Sequence, residues 1–395
     1  MTIDTRCAKS TGRKRKDRLY LRLTTELHWI GQRQNRAQKR QLQAVLSVLP
    51  TIKIQVLSLY NADINEAQQT IIFGLSTLRT LVVRSCQFIC STRTPPLSHV
   101  TALTLARNDR HTTRRLLTIF ASTLETLEVG DFDSTTGSIL QGGLIKLPKL
   151  STFAIDHGKD GLDDKILGTF RRYTSIIALR ILPQNYLSHM SFHHSDLPAL
   201  RSLTCDHHLA VSLIPKRPVT TFVEVLSSEG EGLKGIFSAL TKTRTGITNL
   251  KLFVPDKFCS LLPSLAPYLQ YLEQLTLLFC TRATSDHLSG QPHNKPPGAP
   301  GTVLPKLKWV TILISGYKKT VSIELLFKEV LIPCPALEVF EYLSFAALST
   351  TFERDRLPEP TQTWKMWRLA DGSWERQVPP PIPSPIPAET LHAEP

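Results

Sequence analysis

Two short segments of the chain contain residue types that bind transition metals. His193 and His194 are adjacent, and Asp206, His207 and His208 follow further along the chain. Imidazole and carboxylate groups are zinc ligands, so these side chains could meet around a metal ion. Both segments fall in predicted surface turns, where solvated histidines are the simpler explanation. We therefore predict no metal site and no cofactor.

The scattered cysteines and the absence of short catalytic motifs predict a protein that is not an enzyme. The seven cysteines are scattered among apolar residues, unlike the dense pattern of a secreted disulfide scaffold. Cys86 and Cys90 have the spacing of half a zinc site, but no second pair accompanies them. The sequence contains no GxSxG nucleophile turn and no HExxH zinc motif. We predict a non-catalytic protein of the cytoplasm or the nucleus.

A leucine-rich pattern recurs along the chain. Residues 272–280 fit L-x-x-L-x-L-x-x-N/C at every fixed position, and residues 78–86 and 100–108 fit it with one conservative change each, Val83 and Val100. Weaker copies keep the first half of the pattern, and most intervals fall within the range of about 20 to 29 residues typical of leucine-rich repeats. The copies begin at Ile54, Leu78, Val100, Leu124, Leu150, Ile176, Leu200, Thr220, Ile247, Leu272, Leu307 and Leu337.

The pattern predicts a short strand in each repeat with one apolar and one polar face. Alternate strand residues point to opposite sides, so the fourth and sixth positions face inward and the third and fifth face solvent. The third positions are mostly small or polar, which argues against a parallel sheet covered on both faces. Residues 115–121 and 321–332 have helical periodicity between strands. We predict an α/β leucine-rich-repeat solenoid, with a curved parallel sheet on the concave side and helices and irregular segments on the convex side.

The ninth position of each repeat normally holds a buried Asn or Cys that satisfies backbone groups where the chain turns. Cys86, Asn108 and Cys280 fit this role, whereas Phe132 and His208 do not. We therefore expect irregular turns at this edge of the sheet.

The pattern also divides the chain into segments. The predicted organisation is a basic, disordered segment over 1–31, an N-terminal capping helix over 32–50, and repeats over 51–363 with a loop insertion at 281–305. A C-terminal capping hairpin over 364–376 follows, because Asp371-Gly372 between apolar residues is a strong hairpin signal. Residues 377–395 are predicted to be a Pro-rich, disordered tail.

Basic residues are concentrated at the N-terminus. The formal net charge is +14, and twelve of the 47 Lys and Arg residues lie within the first fifty residues, against three acidic residues. Residues 13–16 read Arg-Lys-Arg-Lys and could contact nucleic acid or act as a nuclear-import signal; an unstructured, solvated tail explains them equally well. The predicted polar strand face is mixed in sign and suits a protein better than a nucleic acid.

The repeats, the segment 197–206 (LPALRSLTCD), the segment 261–266 (LLPSLA) and the closing 367–374 (WRLADGSW) together resemble the fungal F-box/leucine-rich-repeat proteins. The resemblance covers about residues 50 to 376. It implies a substrate receptor of a cullin-type (SCF) ubiquitin ligase, whose F-box docks the adaptor while the repeats hold the target. The F-box pattern itself is degenerate or missing, since residues 23–27 (LTTEL) run into the polar segment 31–41.

The predicted function is protein binding through the concave face. The expected partner is an unidentified protein substrate, with the SCF adaptor and cullin as further candidates; no apolar run approaches the roughly 20 residues that span a membrane. The alternative is a nucleic-acid-associated protein that binds through its basic arm. The predicted partner-binding residues occupy outward strand positions: Arg79, Val82, Arg84, Thr104, Arg107, Glu125, Glu128, Arg180, Arg201, Lys251 and Trp309.

Overall fold

The protein has a mixed α/β structure dominated by a mostly parallel, open sheet. The computed structural model describes residues 26–30, 36–51, 53–89, 99–132, 134–143, 145–158, 163–182, 192–225, 230–254, 269–280, 304–315, 334–345, 362–369 and 371–377. The chain forms two compact units: unit 1 comprises Met1–Leu226 and Gly230–Ile247, and unit 2 comprises Ser227–Glu229 and Thr248–Pro395.

The strands of unit 1 follow each other side by side. They are β1 (Glu26–Ile30), β2 (Val56–Tyr60), β3 (Asp63–Ile64), β4 (Thr80–Arg84), β5 (Gln87–Phe88), β6 (Ala102–Ala106), β7 (Thr126–Phe132), β8 (Thr152–Gly158), β9 (Ala178–Ile181), β10 (Ser202–Cys205) and β11 (Thr221–Glu224). Apart from β3 and β5, which pair with each other in a small parallel sheet, these strands lie in chain order and all pair in parallel. Each crossover therefore joins neighbouring strands.

Helices fill most of these crossovers. They are α1 (Arg36–Val48), α2 (Glu66–Phe73), α3 (Arg110–Phe120), α4 (Ser134–Gln141), α5 (Asp163–Arg172), α6 (His207–Leu213) and α7 (Gly230–Leu240), with a 3₁₀ turn at Leu49–Thr51. Polar caps define where several begin: Asn65 and Gln68 form a capping box on α2, and Asp109 and Asp206 accept backbone N–H groups at the starts of α3 and α6. The helices contact each other in sequence, for example α4 with α5 and α6 with α7.

One hydrogen-bonding device recurs where the strands begin. The N–H groups of Arg79 and Thr80 both donate to the carbonyl of Gln55 in the preceding repeat, at 2.9 Å each. The same paired donation occurs in both units, at residues 101–102, 125–126, 151–152, 177–178, 201–202, 220–221, 273–274, 308–309 and 338–339. This repeated pair of hydrogen bonds gives each of these strands the same register against its neighbour.

The inward face of the unit 1 sheet packs against the helices. Phe153 on β8 meets Phe170 on α5 in an edge-to-face contact, with ring centres 6.1 Å apart, and both side chains are fully buried. At the edge of the sheet, the Cys86 N–H donates to Asn108 Oδ1 at 2.9 Å, and Asn108 Nδ2 donates to the Val83 carbonyl at 2.9 Å. The predicted role of Cys86 and Asn108 at the turns is therefore confirmed.

Unit 2 combines parallel strands with an antiparallel hairpin. Its strands are β12 (Asn249–Val254), β13 (Gln274–Cys280), β14 (Trp309–Ser315), β15 (Val339–Phe345), β16 (Gln362–Arg368) and β17 (Trp374–Gln377). The pairs from β12 to β15 are parallel, and β16 pairs in antiparallel with both β15 and β17. Gly372 turns the hairpin with a φ of 83°, in the left-handed region that favours glycine.

The predicted strand register is correct in all repeats but one. In the repeat that starts at Thr220, the pattern places Val223 and Val225 inward, but Phe222 aligns with inward-facing Leu203 and is fully buried, and Glu224 is the next inward residue. Because Glu224 is charged, the apolar pattern does not mark its position as inward, and the predicted register is off by one residue. A shift of one residue exchanges the two faces of a strand.

The predicted N-terminal boundaries also need correction. Residues 26–30, assigned to a disordered segment, form β1, which pairs with β2 and buries Leu27 and Trp29. The helix predicted over 32–50 is present as α1, but it connects β1 to β2 rather than covering the end of the first repeat. The repeats predicted over 51–363 lie in both units, and the division between the units falls near Ile247, where the repeat pattern continues without change.

Several predictions lie outside the described residues. These are the loop over 281–303, the helix over 321–332, the tail beyond residue 377 and the basic segment before residue 26.

Candidate functional site

Five of the nine predicted binding residues of unit 1 lie on one face of its sheet. The strand register aligns Val82, Thr104, Glu128, Ala154 and Arg180, one residue from each of β4, β6, β7, β8 and β9. They alternate with buried residues of the same strands, so they point away from the helices. The structure therefore brings four of the predicted residues into a single row.

The charged members of this row form an ion pair across a neighbouring strand. Arg180 Nη2 lies 3.2 Å from Glu128 Oε1, and their side chains keep 30% and 21% of their surface exposed. Ala154 stands between them on β8 and is 5% exposed, so its methyl group leaves room for the arginine to reach across. The pair is partly desolvated, which strengthens its electrostatic interaction relative to one in water.

A second row lies further along the same strands. Ile30, Tyr60, Arg84, Ala106 and Gly130 are aligned on β1, β2, β4, β6 and β7. The Arg84 guanidinium lies over the Tyr60 ring at 5.9 Å from its centre. The row thus runs from an exposed apolar side chain through an aromatic ring and a cation to two small residues.

The remaining predicted residues of unit 1 lie at the strand ends. Arg79, Glu125 and Arg201 each precede a strand and are exposed. Arg79 Nη1 donates to the Ser76 carbonyl at 2.9 Å, so part of its bonding capacity serves its own turn. Arg107 follows β6 with a φ of 54° and is exposed.

Lys251 and Trp309 belong to unit 2, where the structure shows a cluster that sequence reasoning missed. Lys365 Nζ lies 4.4 Å from the ring centre of Trp309 and 4.3 Å from that of Trp367. The same ammonium is 3.9 Å from Glu341 Oε1. Because β15 and β16 are antiparallel, their register places Lys365 opposite Glu341, and the repeat pattern does not reveal that register.

The histidine segments do not form a metal site. His193 and His194 stack with ring centres 3.9 Å apart, and His207 and His208 with centres 3.7 Å apart. Asp206 caps α6, where its side chain accepts a hydrogen bond from the Leu209 N–H. The proximity of His193 lowers the pKa of exposed His194, and burial lowers the pKa of His207. In the part of the chain that the structure describes, no group of three or more His, Cys, Asp and Glu residues could hold a metal ion.

Cys205 and Cys334 are buried free cysteines. Burial raises the pKa of the Cys205 thiol well above its ordinary value, with Asp206 and Glu224 adding to the effect, and burial also raises the pKa of Cys334. Reactive cysteines need a lowered pKa and solvent access. Neither thiol has these two features of a reactive cysteine.

One glycine motif was overlooked in the sequence. Gly230, Gly232 and Gly235 have the GxGxxG spacing of a dinucleotide-binding loop and follow β11. In that motif the first glycine turns the chain directly after the strand. Here Gly230 is already part of α7, and a Cβ on Gly235 would lie 3.2 Å from a Val211 methyl group of α6. The third glycine thus serves close contact between helices.

The comparisons with protein-family models and with curated proteins find no match. None of the described helices has both the length and the apolar character needed to cross a membrane.

Proposed function

We propose that this chain is a non-catalytic protein-binding scaffold of leucine-rich repeats, equivalent to the substrate-recognition part of an SCF-type ubiquitin ligase receptor. The unit 1 sheet face is its binding surface. The observation that carries the proposal is the row from Val82 to Arg180, in which five neighbouring strands each present one side chain on the face away from the helices, and three of the five are polar or charged.

The composition of this face supports a protein partner. Thr104 on β6 is short and half-buried, which leaves room for an opposing surface beside Val82 and Glu128. Its charged residues have both signs, as in the Arg180–Glu128 pair, and complementary charges of both signs select a protein partner and fix its orientation. A nucleic-acid surface carries mainly positive charge.

The test is capture of proteins by the intact chain and by two charge-reversal variants. Glu128→Arg breaks the central ion pair and places two like charges together, so we expect it to release a specific partner. Arg114→Glu is the matched control, because Arg114 is exposed on α3 and distant in the repeat from the polar sheet face. Thermal unfolding of both variants checks that the fold is intact.

Loss of one partner with Glu128→Arg and its retention with Arg114→Glu is the expected result. Recovery of a cullin and its adaptor with the unaltered chain supports the ligase part of the proposal. If both variants keep the same partners as the unaltered chain, the sheet face is not the binding surface.

A further inference from the structure

The row Ile30–Tyr60–Arg84–Ala106–Gly130 has the features of a site for one particular kind of peptide. Ile30, the last residue of β1 at the edge of the sheet, is 54% exposed. Tyr60 and Arg84 are half-buried beside it, and Ala106 is 8% exposed. A Cβ on Gly130 would come within 2.9 Å of the Ala106 Cβ, so the structure requires a low surface next to Arg84.

Arg84 has unused hydrogen-bonding capacity. Its Nε atom is buried and has no acceptor among the described residues, and its recorded partner is the Tyr60 ring, which offers no carboxylate. A buried donor without an acceptor costs about 1 to 3 kcal/mol, and native structures contain few of them. An arriving group with two acceptor oxygens would satisfy the guanidinium fork.

Two other arginines of this face are already engaged. Arg180 is paired with Glu128, and Arg79 donates to backbone carbonyls. Within the row from Ile30 to Gly130, the charged side chain is that of Arg84. One guanidinium balances one carboxylate, whereas a phosphate carries about −1.5 to −2. Glu128, two strands away and two residues earlier in register, at about 12 Å, further disfavours a doubly charged group.

We infer that this row binds a linear peptide segment of a partner protein, in which an acidic side chain is accompanied by an apolar one. The inference rests on the proposed function and adds the chemistry of the partner. The carboxylate accepts from Arg84, and the apolar side chain lies against Tyr60 and Ile30. Tyr60 and Ile30 are about 5 and 10 Å from Arg84 across the strands, and side chains two apart in an extended peptide are separated by about 7 Å. The motif is therefore an acidic and an apolar residue two positions apart.

The test selects peptides from a random linear library displayed on phage, using the full chain as bait. A selected peptide is synthesised with a fluorescein label, and its affinity is measured by fluorescence anisotropy. We expect selected sequences with Asp or Glu two residues from an apolar side chain. Arg84→Gln should weaken binding about 10- to 100-fold, because a hydrogen-bonded charge contact is lost. Arg114→Gln, on an outer helix, should leave the affinity unchanged.

A double-mutant cycle identifies the contact. Replacing the acidic residue of the peptide by Gln should weaken binding to the unaltered chain but cause little further loss with Arg84→Gln. Equal losses in both backgrounds overturn the contact. Tighter binding of a phosphoserine peptide through Arg84 overturns the carboxylate in favour of a phosphate. Thermal unfolding of Arg84→Gln shows whether any loss comes from misfolding.

The outcomes separate this inference from the proposed function. Selected peptides that lack acidic residues but are released by Glu128→Arg overturn the inference and leave the binding face in place. The same conclusion follows if no peptide is selected while a folded partner is captured through Glu128. If neither peptides nor partners bind through this face, both proposals fail.

Discussion

The buried Arg217 provides the strictest test of how unit 1 is held together. Its side chain is 1% exposed and donates to three backbone carbonyls at short distances: Nε to Asp196 at 2.7 Å, Nη1 to Leu213 at 2.8 Å and Nη2 to His193 at 2.7 Å. Burial lowers the pKa of Arg217, while Asp196 opposes that shift. The residue joins the end of α6 to the segment before β10.

The predicted effect of Arg217→Met follows from these bonds. A net contribution of about 1 to 1.5 kcal/mol for each short bond gives a loss of about 3 to 4.5 kcal/mol. Methionine fills a similar volume, so the loss reflects hydrogen bonds rather than a cavity. The free energy of unfolding is measured by urea denaturation with far-UV circular dichroism. Hydrogen exchange over residues 192–217 shows whether the destabilisation is local.

Arg201→Met is the matched control, because Arg201 is exposed and its replacement should cost less than about 0.5 kcal/mol. Replacing a buried charged group by an apolar one can also be neutral or stabilising when the desolvation cost of the charge exceeds the value of its bonds. If Arg217→Met unfolds at the same urea concentration as the original chain, the proposed role of these hydrogen bonds is wrong.

Three further predictions concern the core, the cluster of unit 2 and the low surface. Leu103→Ala should lower the free energy of unfolding by about 2 to 5 kcal/mol, whereas Thr104→Ala on the opposite face should cost under about 0.5 kcal/mol; equal melting temperatures would contradict the assignment of faces. Lys365→Gln should destabilise unit 2 by about 1 kcal/mol and change the fluorescence of the two tryptophans; an unchanged spectrum would argue against the cation–π contacts. Gly130→Val should cost about 1 to 3 kcal/mol in thermal unfolding, because its side chain meets that of Ala106; no loss would show that the strands adjust.

Much of the strand arrangement was predictable from the repeats, because inward leucines alternate with polar residues and neighbouring parallel strands have the same pattern. Leu81 and Leu103 show this directly, since they align across β4 and β6. The repeat pattern does not identify an inward position that is not apolar, as at Glu224 in β11. Nor does it identify β1, whose alternating Leu27 and Trp29 stand outside the repeated spacing.

The candidate site was predictable as a surface but not as a set of contacts. Alternation alone places Arg84, Glu128 and Arg180 on the polar face. It does not show that Arg180 reaches past a small residue to Glu128. Nor does it show that Arg84 lies over Tyr60 with a buried nitrogen that has no acceptor among the described residues. Likewise, the position of Lys365 between two tryptophans depends on an antiparallel register that follows no repeat.

The amino-acid sequence by itself determined that short strands recur, which side of each strand is apolar, and where most of them begin, because these properties depend on local side-chain spacing. The tertiary structure alone decided which residues of different repeats meet, where the chain divides into two units, and which charges are paired. Those features depend on strand register and side-chain reach over a few ångströms, to which local periodicity is insensitive.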